Sequence, residues 1–461
     1  MGILANAYGD PYSLRIAHGA AQEISRSGGH AIFFGGGFPR APLFRSAADA
    51  CVLPGSLDGW VLVGEMLRDG WSELAPAARA ARGTVTLGFE LPGLPSVTVD
   101  DQTGIFQAVG HLVKRHERRR IAFITGPEGS VDGQHRFTAY RMALESLGLA
   151  LDPALVAAGN YETRSGGAAI RQLKRQSARF DALVCANDLM AIGASEALRA
   201  AGKRVPEEIS IVGFDDLEDA SFASPSLTTI RQPLMELGAA AARLTWTRTA
   251  GEDAERTVVP TPLVIRESCG CLSSDYPERR SHPPGVDPQR TKQLREEGLR
   301  ELVRRGLSSS RLHRELERVA DSIVRAPDFP GLTGIMSEVI ELLGLRRFLL
   351  CTYAGGQRHA RVALESSGRD VAFHHQSQPF PVEQVLPAGY LNGDKPVQLV
   401  IEPLEYADEH FGYVVLEGDL RNGLAHLALR RHLGSAVARM SHGRELRRLY
   451  AAEKRRTEAD R

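Results

Sequence analysis

The sequence has few cysteines, no long apolar run and no surplus of either charge. Its five cysteines, odd in number and scattered over 461 residues, make no disulfide framework and suit a reducing compartment. No stretch approaches the roughly 20 apolar residues of a membrane span. Met1 to Tyr8 pass from a short apolar strand into a polar turn, without the charged and apolar regions of a secretory leader. A cytoplasmic protein with no membrane partner is therefore expected. Lys+Arg and Asp+Glu both number 56, so the formal charge is zero and the whole chain carries no electrostatic footprint for nucleic acid. Three signatures of catalysis are also missing: the phosphate loop, the Gly-x-Ser-x-Gly nucleophile elbow and the His-Glu-x-x-His zinc helix. The carboxylate pairs Asp100-Asp101 and Asp215-Asp216 are sequence neighbours, whose side chains point in different directions and make no ready acid/base couple. The expectation is a protein that is not an enzyme and takes no cofactor.

What is present is enough residues for two or three domains, with an ordinary 43% hydrophobic and 24% charged content. Up to about residue 270, short apolar runs alternate with amphipathic stretches. The runs are Gly2–Ala5, Ala31–Phe34, Gly59–Val63, Thr84–Leu87, Ile121–Thr125, Ala182–Cys185 and Ile209–Gly213. Continuous apolar strands joined by helices predict a parallel sheet covered on both faces, an α/β architecture. Ligands in such sheets bind beyond the carboxyl ends of the strands. Here those ends carry Asn6 and Tyr8, Asn187 and Asp188, and Asp215 and Asp216.

Six collinear segments then resemble the effector-binding core of the LacI/GalR transcription regulators. They are Val99-Asp100-Asp101 with its helix, Arg119 to Gly126, Arg136 to Tyr140, Asn187 to Gly193, Val205 to Asp216, and Pro225 to Pro233. The resemblance covers about residues 1–271 and implies the type I periplasmic-binding-protein fold: two lobes hinged by three crossovers, closing on a ligand. The crossovers are placed near 118–120, 230–232 and 258–261, giving a first lobe of 1–117 and 233–257 and a second of 119–230 and 259–271. Two departures from the family pattern are Arg115-His116-Glu117-Arg118, where Gly-His is usual, and Ala139, where glycine is commoner.

Matched to the family's motifs, Arg136 is the first candidate for ligand contact, its guanidinium a rigid fork of donors. Asp215 offers a carboxylate that accepts two hydroxyl hydrogen bonds, with helix capping as its plain alternative. Asn187 offers a donor and an acceptor together, while Asp188 is expected to cap the next helix. Tyr161 supplies either a ring for stacking or a packing element, and Gln232 either touches ligand or holds the hinge. Either Asp100 or Asp101 faces the cleft, with Asp101 the candidate. Asn6 and Tyr8 complete the set from the first loop.

Beyond Arg266 to Cys271 the composition shifts. Residues 272–290, rich in Ser, Pro, Arg and Asp, read as a linker. Cys269-Gly270-Cys271 is expected to be a structural chain end, because no further Cys or His ligands stand nearby in sequence; no metal site is expected. Residues 291–420 read as a long helix and a compact α+β unit similar in order to a GAF-type sensor domain. Residues 421–461 read as a helix with a packing stripe or coiled-coil dimer seam.

The resemblance implies a small-molecule-sensing transcription regulator, a homodimer that binds a sugar- or nucleoside-like metabolite. With the first strand starting at Gly2, no DNA-reading headpiece is recognisable, so DNA binding would need a headpiece outside this chain or a partner. The alternative is an input subunit that signals to a kinase or cyclase through the C-terminal helix.

Overall fold

A computed structural model describes residues 1–5, 11–35, 42–45, 53–63, 71–247, 256–271, 314–354, 357–391, 395–418 and 426–443. By its internal packing the chain divides into two units, the first comprising Met1–Ser96, Met235–Glu255 and Arg305–Arg461, the second Val97–Leu234 and Arg256–Arg304. Asn6, Tyr8 and the expected linker at 272–290 lie outside the described residues.

The first unit begins β1 (Gly2–Leu4), α1 (Pro11–Arg26), β2 (Ala31–Phe34), β3 (Trp60–Val63), α2 (Trp71–Ala80) and β4 (Thr84–Leu87). The strands run parallel in the order β4-β3-β1-β2. All four are buried along their length, as strands covered on both faces must be.

The second unit follows as β5 (Ser96–Val99), α3 (Asp101–His116), β6 (Ile121–Ile124), α4 (Val131–Ser146), β7 (Val156–Ala157), α5 (Thr163–Arg175), β8 (Ala182–Cys185), α6 (Asp188–Ala200), β9 (Ser210–Asp215), α7 (Glu218–Phe222) and β10 (Thr228–Arg231). The chain returns to the first unit through α8 (Leu234–Thr247), then comes back with β11 (Arg256–Val259) and β12 (Leu263–Val264). The second unit's sheet has the order β12-β10-β9-β8-β6-β7, parallel except where β12 runs against β10.

One boundary differs from the sequence expectation. The chain first changes unit between Ser96 and Val97, not near 118–120. Helix α3 buries Ile105, Ala108, Val109, Leu112 and Val113 in the same core as β6, β8 and β9, so it belongs to the second unit. Its apolar stripe is visible in sequence, but nothing local says which sheet the stripe faces.

The C-terminal segment differs more. It contains α9 (residues 314–325), α10 (Phe329–Leu343), β13 (Arg347–Ala354), β14 (His359–Ser367), β15 (Asp370–Phe373), β16 (Phe380–Pro381), β17 (Gln398–Tyr406), β18 (Glu409–Glu417) and α11 (residues 426–443). Rather than standing apart as a separate unit at 291–420, it extends the first unit's sheet. Strand β17 pairs parallel with β2, Gln398 opposite Ala31 and Ile401 opposite Phe34, and β18, β13, β14 and β15 follow antiparallel. Ala-Ile-Phe-Phe, apolar on both faces, would make an aggregation-prone edge if left uncovered; β17 covers it. One core therefore holds Ile32, Phe34 and Trp60 together with Leu349, Leu399 and Val415. The described part of the C-terminal stripe is also spent internally. Leu429, Leu433, Ala436, Val437 and Met440 of α11 are buried within this chain, so these residues form no exposed dimer seam.

Candidate functional site

The polar ends of the second unit's strands converge on Arg136, in the second turn of α4. That helix starts where Ser130 accepts a hydrogen bond from the Gly133 amide at 2.9 Å, the usual satisfaction of an orphan first-turn donor. The Arg136 side chain is only 3% exposed. Its Nε donates to Asp101 Oδ1 at 3.0 Å and its Nη1 to the Ala186 carbonyl, just past β8, at 2.7 Å. Nη1 also lies 3.8 Å from Asp215 Oδ1, and Nη2 lies 4.0 Å from Asp132. The guanidinium carbon sits 3.8 Å from the centre of the Phe214 ring, a cation–π stack that fixes the plane of the fork. Burial works against the charge of Arg136, but Asp101 and Asp215 outweigh it and keep the group a cation. Burial conversely pushes the Asp101 carboxyl up, with Arg136 pulling it back.

Asp100 and Asp101 divide their labour across one peptide bond. Asp100 caps α3 by accepting from the Thr103 amide at 2.9 Å, which leaves Asp101 to meet Arg136. Asp215 ends β9 in the left-handed region, with φ of 113°, and Asp216 follows at 58°. Two non-glycine residues in that region carry backbone strain of the kind that collects at ligand sites. The turn is held from both sides. Gln232 Nε2 donates to Asp215 Oδ1 at 2.6 Å, while Arg231 and Arg266 each reach Asp216 at 2.6 Å.

The capping assignment at β8 is reversed. Asn187, not Asp188, caps α6, accepting from the Met190 amide at 3.0 Å while its Nδ2 donates to the Tyr161 carbonyl at 2.9 Å. Asp188 is fully buried, accepting from Thr229 Oγ1 at 2.5 Å and the Leu217 amide at 2.9 Å. Burial first, and repulsion from Asp215 second, push its carboxyl well up. Tyr161, itself at a φ of 70°, shares a 2.8 Å hydrogen bond with Ser130 Oγ. Its ring closes over Gly126, where an added Cβ would lie 2.4 Å from the phenol oxygen.

Arg136, Asp101, Asp215 and Gln232 are thus brought into one cluster of two hydrogen-bonded pairs linked by the Arg136–Asp215 ion pair, with Asn187 and Tyr161 joined to each other beside it. Sequence reading did not find Asp132, Phe214, Ser130 or Gly126. Phe214 was in view as a strand residue, but its stacking on a helix 78 positions earlier has no local signal. Asp101, Asp132 and His135 also place ligand atoms within 4.8 Å of one another. The Arg136 guanidinium already neutralises that spot, so a cation has no call there. Chemically, the cluster offers a fixed cationic fork, acceptor carboxylates, an amide and a ring, which together match a ligand bearing several hydroxyls.

Residues 109–269 match a family model described as a periplasmic binding protein-like domain. The HTH-type transcriptional regulator CelR of Thermobifida fusca is 41% identical over 174 residues, 37% of this chain and 51% of that protein. The HTH-type transcriptional repressor CytR of Escherichia coli is 34% identical over 181 residues, 39% of this chain and 53% of that protein. The chain spans about half the length of these curated relatives. Both are named as transcriptional regulators and neither as an enzyme. A LacI family transcriptional regulator from Mycobacterium smegmatis aligns with a TM-score of 0.50 at 28% identity, over 58% of this chain and 98% of that one. A LacI transcriptional regulator from a Rhodococcus species aligns with a TM-score of 0.50 at 26% identity, over 58% of this chain and 97% of that one. The family model stops at residue 269, before the segment expected to resemble a GAF domain. The parallel sheets, their covering helices and these matches together give this chain the type I periplasmic-binding-protein-like α/β fold of LacI-family regulators.

Proposed function

We propose that the chain is an effector-sensing transcription regulator of LacI type, and that its second unit takes a small polyhydroxylated metabolite, a sugar or nucleoside, at Arg136. The observation that carries this reading is the arginine itself: a buried cation held by Asp101, the Ala186 carbonyl and the Phe214 ring at the carboxyl ends of β8 and β9. A guanidinium so fixed costs no further ordering when a hydroxyl arrives, which is the physical content of preorganisation. Asp215 and Asn187 add acceptor capacity, and Tyr161 adds a ring edge or face. Homodimer formation, a cytoplasmic location and DNA binding through a headpiece outside this chain belong to the same proposal. Among the described residues no helix is long and apolar enough to cross a membrane. The GAF-type likeness and the partner-signalling alternative draw no support from the matched relatives.

The test is a calorimetric and thermal-shift screen of monosaccharides, disaccharides and nucleosides against wild type and Arg136→Lys. Lysine keeps the charge beside Asp101 and Asp215 but loses the fork. A ligand that raises Tm and binds Arg136→Lys about 10–100-fold more weakly supports the site. Equal affinity for both proteins overturns it.

A further inference from the structure

We propose that His111, His116, Cys269 and Cys271 form a structural zinc site in the second unit, remote in role from the Arg136 cluster. The four ligand atoms lie within 4.8 Å of one another. The two imidazole Nε2 atoms are 3.2 Å apart, and Cys271 Sγ is 3.4 Å from His111 Nε2 and 3.3 Å from His116 Nε2. Zinc bonds of about 2.0 Å to nitrogen and 2.3 Å to sulfur imply tetrahedral edges of about 3.3 Å between nitrogens and 3.5 Å between nitrogen and sulfur. These three separations match the edges of such a tetrahedron, and Cys269 Sγ, within 4.8 Å of the other three atoms, supplies its fourth corner.

Local structure explains how four residues from two distant segments reach one point. Five positions apart on a continuous helix, His111 and His116 would diverge by about 140°. Helix α3 ends at His116, however, and in that last turn the two rings lie 4.9 Å apart, edge to face, while Glu117 at a φ of 55° turns the chain away. Between the cysteines, Gly270 has a φ of 107°, and a Cβ there would sit 3.2 Å from the His116 ring. Glycine is what allows both thiols to face the histidines. The cysteine segment is itself anchored: Ser210 Oγ donates to the Cys269 carbonyl at 2.8 Å, and Ser268 Oγ to the Ile211 carbonyl at 2.6 Å. Cys269 and Cys271 are both buried.

Hydrogen bonding alone serves such a cluster poorly. Two facing imidazole nitrogens share one proton between them, and a thiol is a weak donor. A divalent ion satisfies all four atoms at once, and an S₂N₂ tetrahedron selects zinc over harder metals. Binding releases the two thiol protons to solvent, leaving two thiolates that neutralise the ion. With four protein ligands the site is closed, so its role is to tie the end of α3 to the end of the unit's last strand. The expectation of a plain chain end for Cys269-Gly270-Cys271 assumed no histidine close by. His111 stands 160 positions before Cys271, where spacing rules do not look.

The experiment is metal analysis of the full chain purified under reducing conditions, followed by replacement with cobalt(II). About one zinc per chain is expected, with cobalt giving the visible bands of a tetrahedral site and a thiolate charge-transfer band near the ultraviolet. Cys271→Ser and His111→Gln should reduce zinc to background, whereas Cys351→Ala should retain it. Should the ligand variants not fold, the cobalt spectrum of wild type decides the matter unaided. Wild type that takes up less than about 0.1 equivalent of either metal, or that carries a Cys269–Cys271 disulfide in its place, overturns the proposal.

Discussion

Two carboxylate-paired arginines, one buried in the second unit and one half-buried in the first, show how the same ion-pair chemistry acquires different meanings. Arg136 lies where parallel strands end. It meets Asp101, a free-standing carbonyl at Ala186 and the face of Phe214, with an amide and a phenol alongside. Arg430, on α11, lies over the middle of β17 and pairs with Glu402 and Glu405 of that strand. Glu402 is fully buried, on a strand that runs parallel to β2 on one side and antiparallel to β18 on the other. Strand ends in a parallel sheet present loops whose polar groups can turn to a ligand; strand middles present only alternating side chains. The first arrangement suits recognition and the second suits the anchoring of a helix to a sheet.

If that contrast is right, Arg136→Ala should be the costliest single change. It leaves Asp101 and Asp215 buried beside no cation, a loss of about 3–5 kcal/mol in urea unfolding, together with loss of any effector-induced shift in Tm. Retention of near wild-type stability would show that the carboxylates are not held by the arginine.

Glu402 should give the next effect, and it is read through pH. Burial pushes its pKa up to about 7 from 4.5, with Arg430 opposing. A raised carboxyl pKa contributes stability that is complete below 4.5 and is lost as pH climbs through about 7. Wild type should therefore lose on the order of 3 kcal/mol across that window, and Glu402→Gln should flatten the profile. A variant profile that still tracks wild type would assign the dependence to another group.

Asp216 runs in the opposite sense. Burial works against its charge, but Arg266 and Arg231 together hold the carboxyl below its usual range. Its stabilisation is present above that range and disappears as pH falls. Asp216→Asn should cost about 1–3 kcal/mol at neutral pH and little in strong acid. The smallest effect expected is that of Tyr161→Phe. The change removes the bond to Ser130 and costs about 1 kcal/mol, visible as a modest drop in Tm with the ring still in place.

Much of the second unit was legible because its signals are local. Apolar runs such as Ala182–Cys185 and Ile209–Gly213 announce buried parallel strands, and Ser130, Asp100 and Asn187 are residue types that cap helices. The reversal of Asn187 and Asp188 marks the limit: both types cap well, and only the neighbouring Thr229 and Leu217 decide which one turns inward. In the C-terminal segment only the α+β character is legible; β14 and β15, with their mixed polar faces, carry no clear period.

The sequence by itself determined the alternation of strand and helix, the strand-end positions of Asn187 and Asp215, and the absence of the catalytic signatures sought. Tertiary structure alone decided that α3 packs with the second sheet and that β17 closes the edge of β2, with Val397 bonded to a histidine 367 positions away. It also brought His111 and His116 to the two cysteines. Periodicity and capping act over a few residues, where sequence and space coincide; which apolar face meets which is settled by the collapse of the whole chain.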